Sequence, residues 1–375
     1  MSWLRWLPSF LLLVPWLVAP AVPSNDVRIR DAAGNVSFRL LDWETVQLSQ
    51  RVGRLWSGLF GGAAFQQEDG DLLRGYFRAG AVREQVRGGA EAALERVVAS
   101  AYEEQGLTRS EPLRSDRLFP PVLVTLTSPP NVLVISPRTD LRVIGSVVLR
   151  GIDTAAQERL EASADSTGVS SLVAPIGGLA TYPSMVLEED SPERVLAAVA
   201  HEWLHQYLIF YPLGAGYWTR QDTREINETT ADLVGQEIGA QLSDRYQLRR
   251  PNSTSPAAAQ PGAFDFRAFM RATRLHAEEL LAAGQVDQAE GYMRDRRAEL
   301  QQNGYTIRKL NQAYFALYGS YGGGFAASPS NPIPDLLRQL RSSTGSLAEF
   351  VFQVRGVTTV DDLRAALAQA QRRVG

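Results

Sequence analysis

Val195-Leu196-Ala197-Ala198-Val199-Ala200-His201-Glu202-Trp203-Leu204-His205 is the stretch on which the reading turns, and Ile226-Asn227-Glu228-Thr229-Thr230-Ala231-Asp232 completes it a short way downstream. Residues four apart share one face of a helix, so a helical 195–205 sets the imidazoles of His201 and His205 side by side. The Glu202 carboxylate then lies on the neighbouring flank. Two neutral imidazoles within reach of one cation, beside a carboxylate that need not ligate, make the layout of a catalytic metal site. Histidine is scarce in the chain, and two of its three copies form this pair. A packing role for both is therefore the weaker reading.

Two histidines leave the site incomplete. The next histidine after His205 is His276, so no third imidazole follows close behind the motif. The run 226–232 offers carboxylates instead: Glu228 and Asp232 are four apart, and one can reach the metal while the other accepts the second ring N–H of a ligating histidine. Glu225, one turn earlier, is the rival third ligand. Glu228 is preferred because it alone has an aspartate one turn beyond it on the same face.

His201-Glu202-x-x-His205 followed by Asn227-Glu228-x-x-x-Asp232 resembles the gluzincin metallopeptidases, of which thermolysin is the familiar member. The resemblance covers only residues 191–243, about the length of the two helices. It implies one Zn²⁺ held by His201, His205 and Glu228, with Glu202 as general base and Asp232 behind a ligating histidine. It also implies a zincin-like α+β core, an antiparallel or mixed sheet beside the HExxH helix, followed by a helical C-terminal lobe. The activity implied is hydrolysis of peptide bonds in a peptide or protein substrate. In that family the strand before the metal helix is a sheet edge that binds an extended peptide. Here that stretch contains Gly177 and Gly178, which permit close backbone approach, and Pro183, which suits an edge strand. A plain loop is the equal alternative. The Glu-Asn pair that gives one aminopeptidase branch its amine recognition is absent from the stretch. The oxyanion donor has no spacing rule to select it. Tyr305, Tyr314, Tyr318, Tyr321 and His276 all lie downstream, and Tyr314 and Tyr321 are the candidates carried forward.

The rest of the chain is of ordinary globular composition. Its 375 residues are 45% hydrophobic and 21% charged, with a net charge of −3, which supplies no broad basic field for nucleic acid. It contains no cysteine, so thiolate chemistry and cysteine-based zinc sites are excluded. Arg5, an apolar run to Val18, and Ala19-Pro20-Ala21 form the pattern of a secretory signal peptide or of an N-terminal membrane anchor over residues 1–24. Either one implies an extracytoplasmic protein, secreted or membrane-associated. Residues 26–106 read as helical, with helices over 43–59 and 81–102. Residues 107–248 read as the catalytic core. Within it 122–126, 132–135 and 141–149 are β-branched runs broken by Ser-Pro pairs, expected as consecutive antiparallel strands. A helix over 154–164 and a strand over 171–176 follow. Residues 249–262, rich in Pro and Ser, read as a linker. Residues 263–375 read as a helical lobe, in which Gly319-Ser320-Tyr321-Gly322-Gly323-Gly324 is a loose connection. Two other classes remain beside the peptidase: a catalytically idle zincin-fold module for envelope binding or assembly, and a hydrolase of a non-peptide amide. The intact Glu202 weighs against an idle site, because a structural metal has no use for a base beside it.

Overall fold

Between residues 124 and 187 the chain lays down two three-stranded sheets, and the helices are arranged around them. The computed structural model describes residues 34, 36–38, 40–50, 53, 67–108, 118–217, 219–248, 264–319 and 331–374. The N-terminal segment 1–24, the linker 249–262 and Tyr321 lie outside the described residues. In chain order the elements are α1 (Leu40–Gln50), α2 (Gln67–Arg78), α3 (Arg83–Glu104), β1 (Val124–Thr127), β2 (Asn131–Pro137) and β3 (Gly145–Leu149). Next come α4 (Thr154–Asp165), β4 (Val169–Pro175), β5 (Gly178–Leu179), β6 (Ser184–Leu187), α5 (Pro192–Leu208), the single turn α6 (Pro212–Ala215) and α7 (Gln221–Arg245). The remaining helices are α8 (Phe266–Ala282), α9 (Val286–Gln302), α10 (Gln312–Gly319), α11 (Ile333–Ser342), α12 (Leu347–Val354) and α13 (Val360–Val374). The chain is thus α+β. Helices α2 and α12 are additions to the reading from sequence. Among the described residues no helix is long and apolar enough to cross a membrane.

The first sheet has the order β3-β2-β4 and is antiparallel throughout. Alternation along β2 gives it two faces. Leu133 and Ile135 pack with Leu160 and Ala164 of α4, while Val132 and Val134 join the core built by α8, α9 and α10. The second sheet has the order β1-β6-β5 and is mixed. The antiparallel succession expected from sequence fails at its first member: β1 pairs parallel with β6, Val124 opposite Ser184 and Thr127 opposite Leu187, and not with β2. Only Gly145–Leu149 of the 141–149 run is strand. A Ser-Pro-Pro break signals that the chain turns without saying which partner the strand takes up, and β1 and β2 diverge across that break into different sheets.

Among the described residues three of the four sheet edges are closed by other parts of the chain. On α3, Glu91 and Glu95 accept the N–H groups of Leu126 (3.0 Å) and Val124 (3.1 Å), so one helical face satisfies the outer donors of β1. Glu161 accepts the N–H of Val173 (2.5 Å) on β4, and Arg308, paired with Glu161, donates to the Val173 carbonyl at 2.8 Å. At β3, Phe38 N–H donates to Val148 and Arg150 N–H to Val36. Edge groups left bare invite pairing with other chains. The remaining edge is β5.

The largest core unites α2, α3, β1, β6, α5, α7 and α11 to α13, so the helices of 263–375 divide between two cores. At its centre α5 and α7 cross closely. A Cβ on Gly239 would come within 2.8 Å of Ala197 Cβ and of Glu193 O, and one on Gly235 within 2.7 Å of Ala197 O. Small residues on both helices therefore set the separation of the two motif-bearing helices. Trp203, fully buried, faces the other way, against Tyr102 at 4.2 Å between ring centroids. Its indole N–H donates to Pro120 O at 2.8 Å.

Glu44 ties α1 to the β5–β6 turn by accepting the Tyr182 N–H at 2.9 Å. Burial lifts its carboxyl from 4.5 to about 7, against the pull of that hydrogen bond. A raised acid pKa means that ionised Glu44 opposes folding above about pH 7, and the opposition vanishes below 4.5. The shift corresponds to at most about 3 kcal/mol. Glu44→Gln is therefore expected to raise the melting temperature at pH 8 and to leave it nearly unchanged at pH 4.5. Equal effects at both pH values would show that Glu44 is not buried as an acid.

Candidate metal centre

Helix α5 opens with Ser191 as N-cap, its hydroxyl accepting from Arg194 N–H, and with Pro192 in the first turn. From there its heptad-like apolar face (Val195, Leu196, Val199, Trp203) is buried, and the same register turns His201 and His205 towards α7. Helix α7 presents Asn227, Glu228 and Asp232 on the facing side. His201, His205 and Glu228 form a group that could hold a metal ion.

The outer hydrogen bonds decide what that group can bind. His205 Nδ1 lies 2.6 Å from Asn227 Oδ1, and Asn227 in turn donates its amide N–H to Leu213 O at 3.2 Å, which orients the amide with its oxygen towards the histidine. His201 Nδ1 lies 3.2 Å from Asp232 Oδ1. Both Nδ1 atoms therefore face acceptors and carry the ring hydrogen, which leaves each Nε2 with a lone pair. The two Nε2 atoms are 2.9 Å apart, and Glu228 Oε2 lies 3.5 and 3.6 Å from them. Glu228 Oε2 is buried with no hydrogen-bond partner among the described residues. Three lone-pair donors converging without a hydrogen between them repel one another unless a cation sits among them. Bonds of about 2.0–2.1 Å to a tetrahedral ion place its ligand atoms about 3.3 Å apart, and the three measured separations bracket that figure. The residues present therefore fit a small divalent cation. A proton is its competitor. Desolvation pulls the His201 pKa down, but the hydrogen bond to Asp232 and the neighbouring carboxylates outweigh it and hold His201 well above its ordinary value.

Glu202 stands outside the ligand group. Its carboxylate occupies a notch under β5, where a Cβ built on Gly178 would fall 2.2 Å from Glu202 Oε1. Burial lifts its carboxyl above the usual range, against the two neighbouring imidazoles. A cavity of about 190 Å³ opens over this group, walled by valines of β2 and β3, by residues 178–181 and by Tyr217, Arg224 and Leu317.

Other sequence candidates are placed as follows. Glu225 accepts from Gln221 and from Asn331 (2.9 Å), which turns it away from the histidines. Gly178 lines the cavity and Gly177 does not. Tyr314 packs in the second core against Tyr318, with ring centroids 4.7 Å apart, and is not among the residues lining the cavity, to which α10 contributes Leu317. His276 lies on an exposed helix face against Tyr292 and Glu279. Among the described residues the phenol that does reach the site is Tyr217, which the sequence analysis does not single out. Its hydroxyl donates to Glu228 Oε1, which leaves Oε2 for the metal, and its ring lies edge-on to His205 at 6.0 Å. No periodicity could have singled it out. Its one signal is position, in the short segment joining the two ligand-bearing helices. Asn227, already part of the downstream motif but given no role in it, is the partner of His205.

Asp232→Asn is expected to weaken metal affinity by about 10- to 100-fold, because an amide can present its N–H₂ to His201 Nδ1 and disfavour the ligating tautomer. Chelator competition against the wild type and an Asp244→Asn control reads the effect. Equal affinities in all three would remove Asp232 from the site.

No family model, no curated protein and no solved structure matches this chain. The functional reading therefore rests on the site itself.

Proposed function

We propose that the chain is a zinc-dependent metallopeptidase with a zincin-like core of the gluzincin kind, exported from the cytoplasm by its N-terminal segment. The observation that carries the proposal is the convergence of His201 Nε2, His205 Nε2 and Glu228 Oε2, each positioned by a partner on its other atom, with Glu202 beside them and outside the ligand set. A structural metal site closes its shell with a fourth protein ligand, whereas three ligands next to a buried carboxylate suit hydrolysis.

A metal ion held by His201, His205 and Glu228 would supply Lewis acidity towards a carbonyl and towards water. The remaining steps belong to the protein. Glu202 accepts the proton of the attacking water and returns it to the leaving nitrogen. Burial, which raises its pKa, suits a group that must both take up a proton and give it back. Among the described residues Tyr217 is a neutral donor beside the ligands, already hydrogen-bonded to Glu228, and is placed to turn its hydroxyl to a developing oxyanion. Strand β5 supports an extended substrate. Leu187 N–H donates to Gly177 O at 2.8 Å, so in the alternating antiparallel ladder the next residue, Gly178, points its N–H and C=O away from β6. Those groups are the natural partners of a peptide backbone.

Native mass spectrometry of the purified chain, followed by digestion of a broad peptide library, tests the proposal. Zinc at about one ion per chain together with cleavage of peptide bonds is the expected result. Zinc without any amide cleavage would overturn the peptidase reading, and absence of zinc would overturn the metal reading as well.

A further inference from the structure

The cavity beside the metal ligands has one wall of aliphatic side chains, Val132, Val134, Val148 and Leu317 among them, and among the described residues that line it Arg224 is the one arginine. Arg224 precedes Glu228 by one helical turn on the same face of α7, which puts it about 6 Å along the helix axis from the third ligand. Its guanidinium carbon stacks over the Tyr217 ring, 5.3 Å from the centroid, and the Tyr217 hydroxyl in turn holds Glu228. The stack fixes the cation at a set distance from the reacting centre. An arginine beside an apolar wall is the side chain best fitted to grip a carboxylate through its planar fork.

We propose that the substrate brings a carboxylate to Arg224 while an aliphatic side chain lies on the valine wall. This rests on the peptidase reading and names its substrate class. An extended chain spans about 3.3–3.6 Å per residue, so the carboxylate lies one or two residues from the bond that is cut. A free C-terminal carboxylate and an acidic side chain both supply this chemistry.

Two matched pairs of peptides separate the sources. The first pair is apolar and identical except that it ends in a free acid or in an amide. The second is amidated and carries Glu or Gln in the last two positions. With zinc-loaded wild type, the acid of at least one pair is expected to be cut with a kcat/KM about 10- to 100-fold above its neutral twin, the advantage of a charge-assisted hydrogen bond. In Arg224→Gln the ratio falls to near one, and in Arg224→Lys it is partly kept, because an ammonium supplies the charge without the fork. Preference in the first pair assigns the C-terminus, and preference in the second assigns the side chain. Calorimetry of acetyl-leucine against acetyl-leucinamide, with wild type and Arg224→Gln, gives a readout free of turnover for the C-terminal source, and acetyl-glutamate amide against acetyl-glutamine amide does the same for the side-chain source. Acid and amide handled alike by wild type in both pairs, or a preference that survives Arg224→Gln, would overturn the proposal. If no peptide is cut, the peptidase reading fails, and the binding pairs alone decide whether Arg224 holds a carboxylate. Should Arg224→Gln not fold, the Arg224→Lys ratio against wild type decides.

Discussion

His201→Ala and His205→Ala proteins are expected to bind no zinc at concentrations at which the wild type holds about one ion per chain. Each substitution removes one of three protein ligands and leaves Glu228 Oε2, already without a hydrogen-bond partner in its buried position, facing a single imidazole. The loss should also appear as stability. An ion present at 1,000 times its dissociation constant stabilises the folded chain by about 4 kcal/mol, so zinc should raise the melting temperature of the wild type and leave both variants unmoved. Acid should mimic the mutations. Because the hydrogen bond to Asp232 and the neighbouring carboxylates hold the His201 pKa well above its ordinary value despite desolvation, a proton competes with the metal. Apparent zinc affinity in chelator competition should then fall by up to about tenfold for each unit of acidification and each proton taken up. Stoichiometric zinc in both variants would place the metal elsewhere and end this account of the site.

Glu202→Gln is expected to keep the metal and to lose turnover by about 10²- to 10⁴-fold, the usual contribution of a positioned base. Glutamine has the shape of glutamate and can stay in the notch beneath Gly178, but its amide cannot take the proton from water. Glu202 is not one of the three side chains grouped as ligands, so zinc stoichiometry should not change. This separation of binding from chemistry is what distinguishes a catalytic centre from a structural one. If Glu202→Gln retained wild-type peptidase rates, another group would have to serve as the base.

Much of the site could be read along the chain because it is built from helical spacing. His201 and His205 at i and i+4, and Glu228 and Asp232 at the same interval, declare a shared face wherever a helix forms. The helix itself is announced by Ser191-Pro192 and by the apolar positions after it. The choice of Glu228 over Glu225 followed from the aspartate one turn on, and in the folded chain Asp232 meets His201 while Glu225 turns to Gln221 and Asn331.

What the sequence alone determined, then, was the local set: which residues share a helical face and which residue types could ligate, accept a proton or orient a ring. What only the tertiary structure decided was which separate pieces of chain meet. The parallel pairing of β1 with β6 is a contact between residues about 60 positions apart, and strand periodicity carries no label for its partner. Tyr217 reaches Glu228 because the turn after α5 folds back over α7, and Tyr314, equally aromatic, is taken into another core. The convergence of the ligands depends on Ala197 meeting Gly235 and Gly239 with almost no space between the helices. Spacing along one helix is fixed by its hydrogen bonds, whereas the distance between two helices is set by the side chains that happen to face each other, and that is known only once the chain has packed.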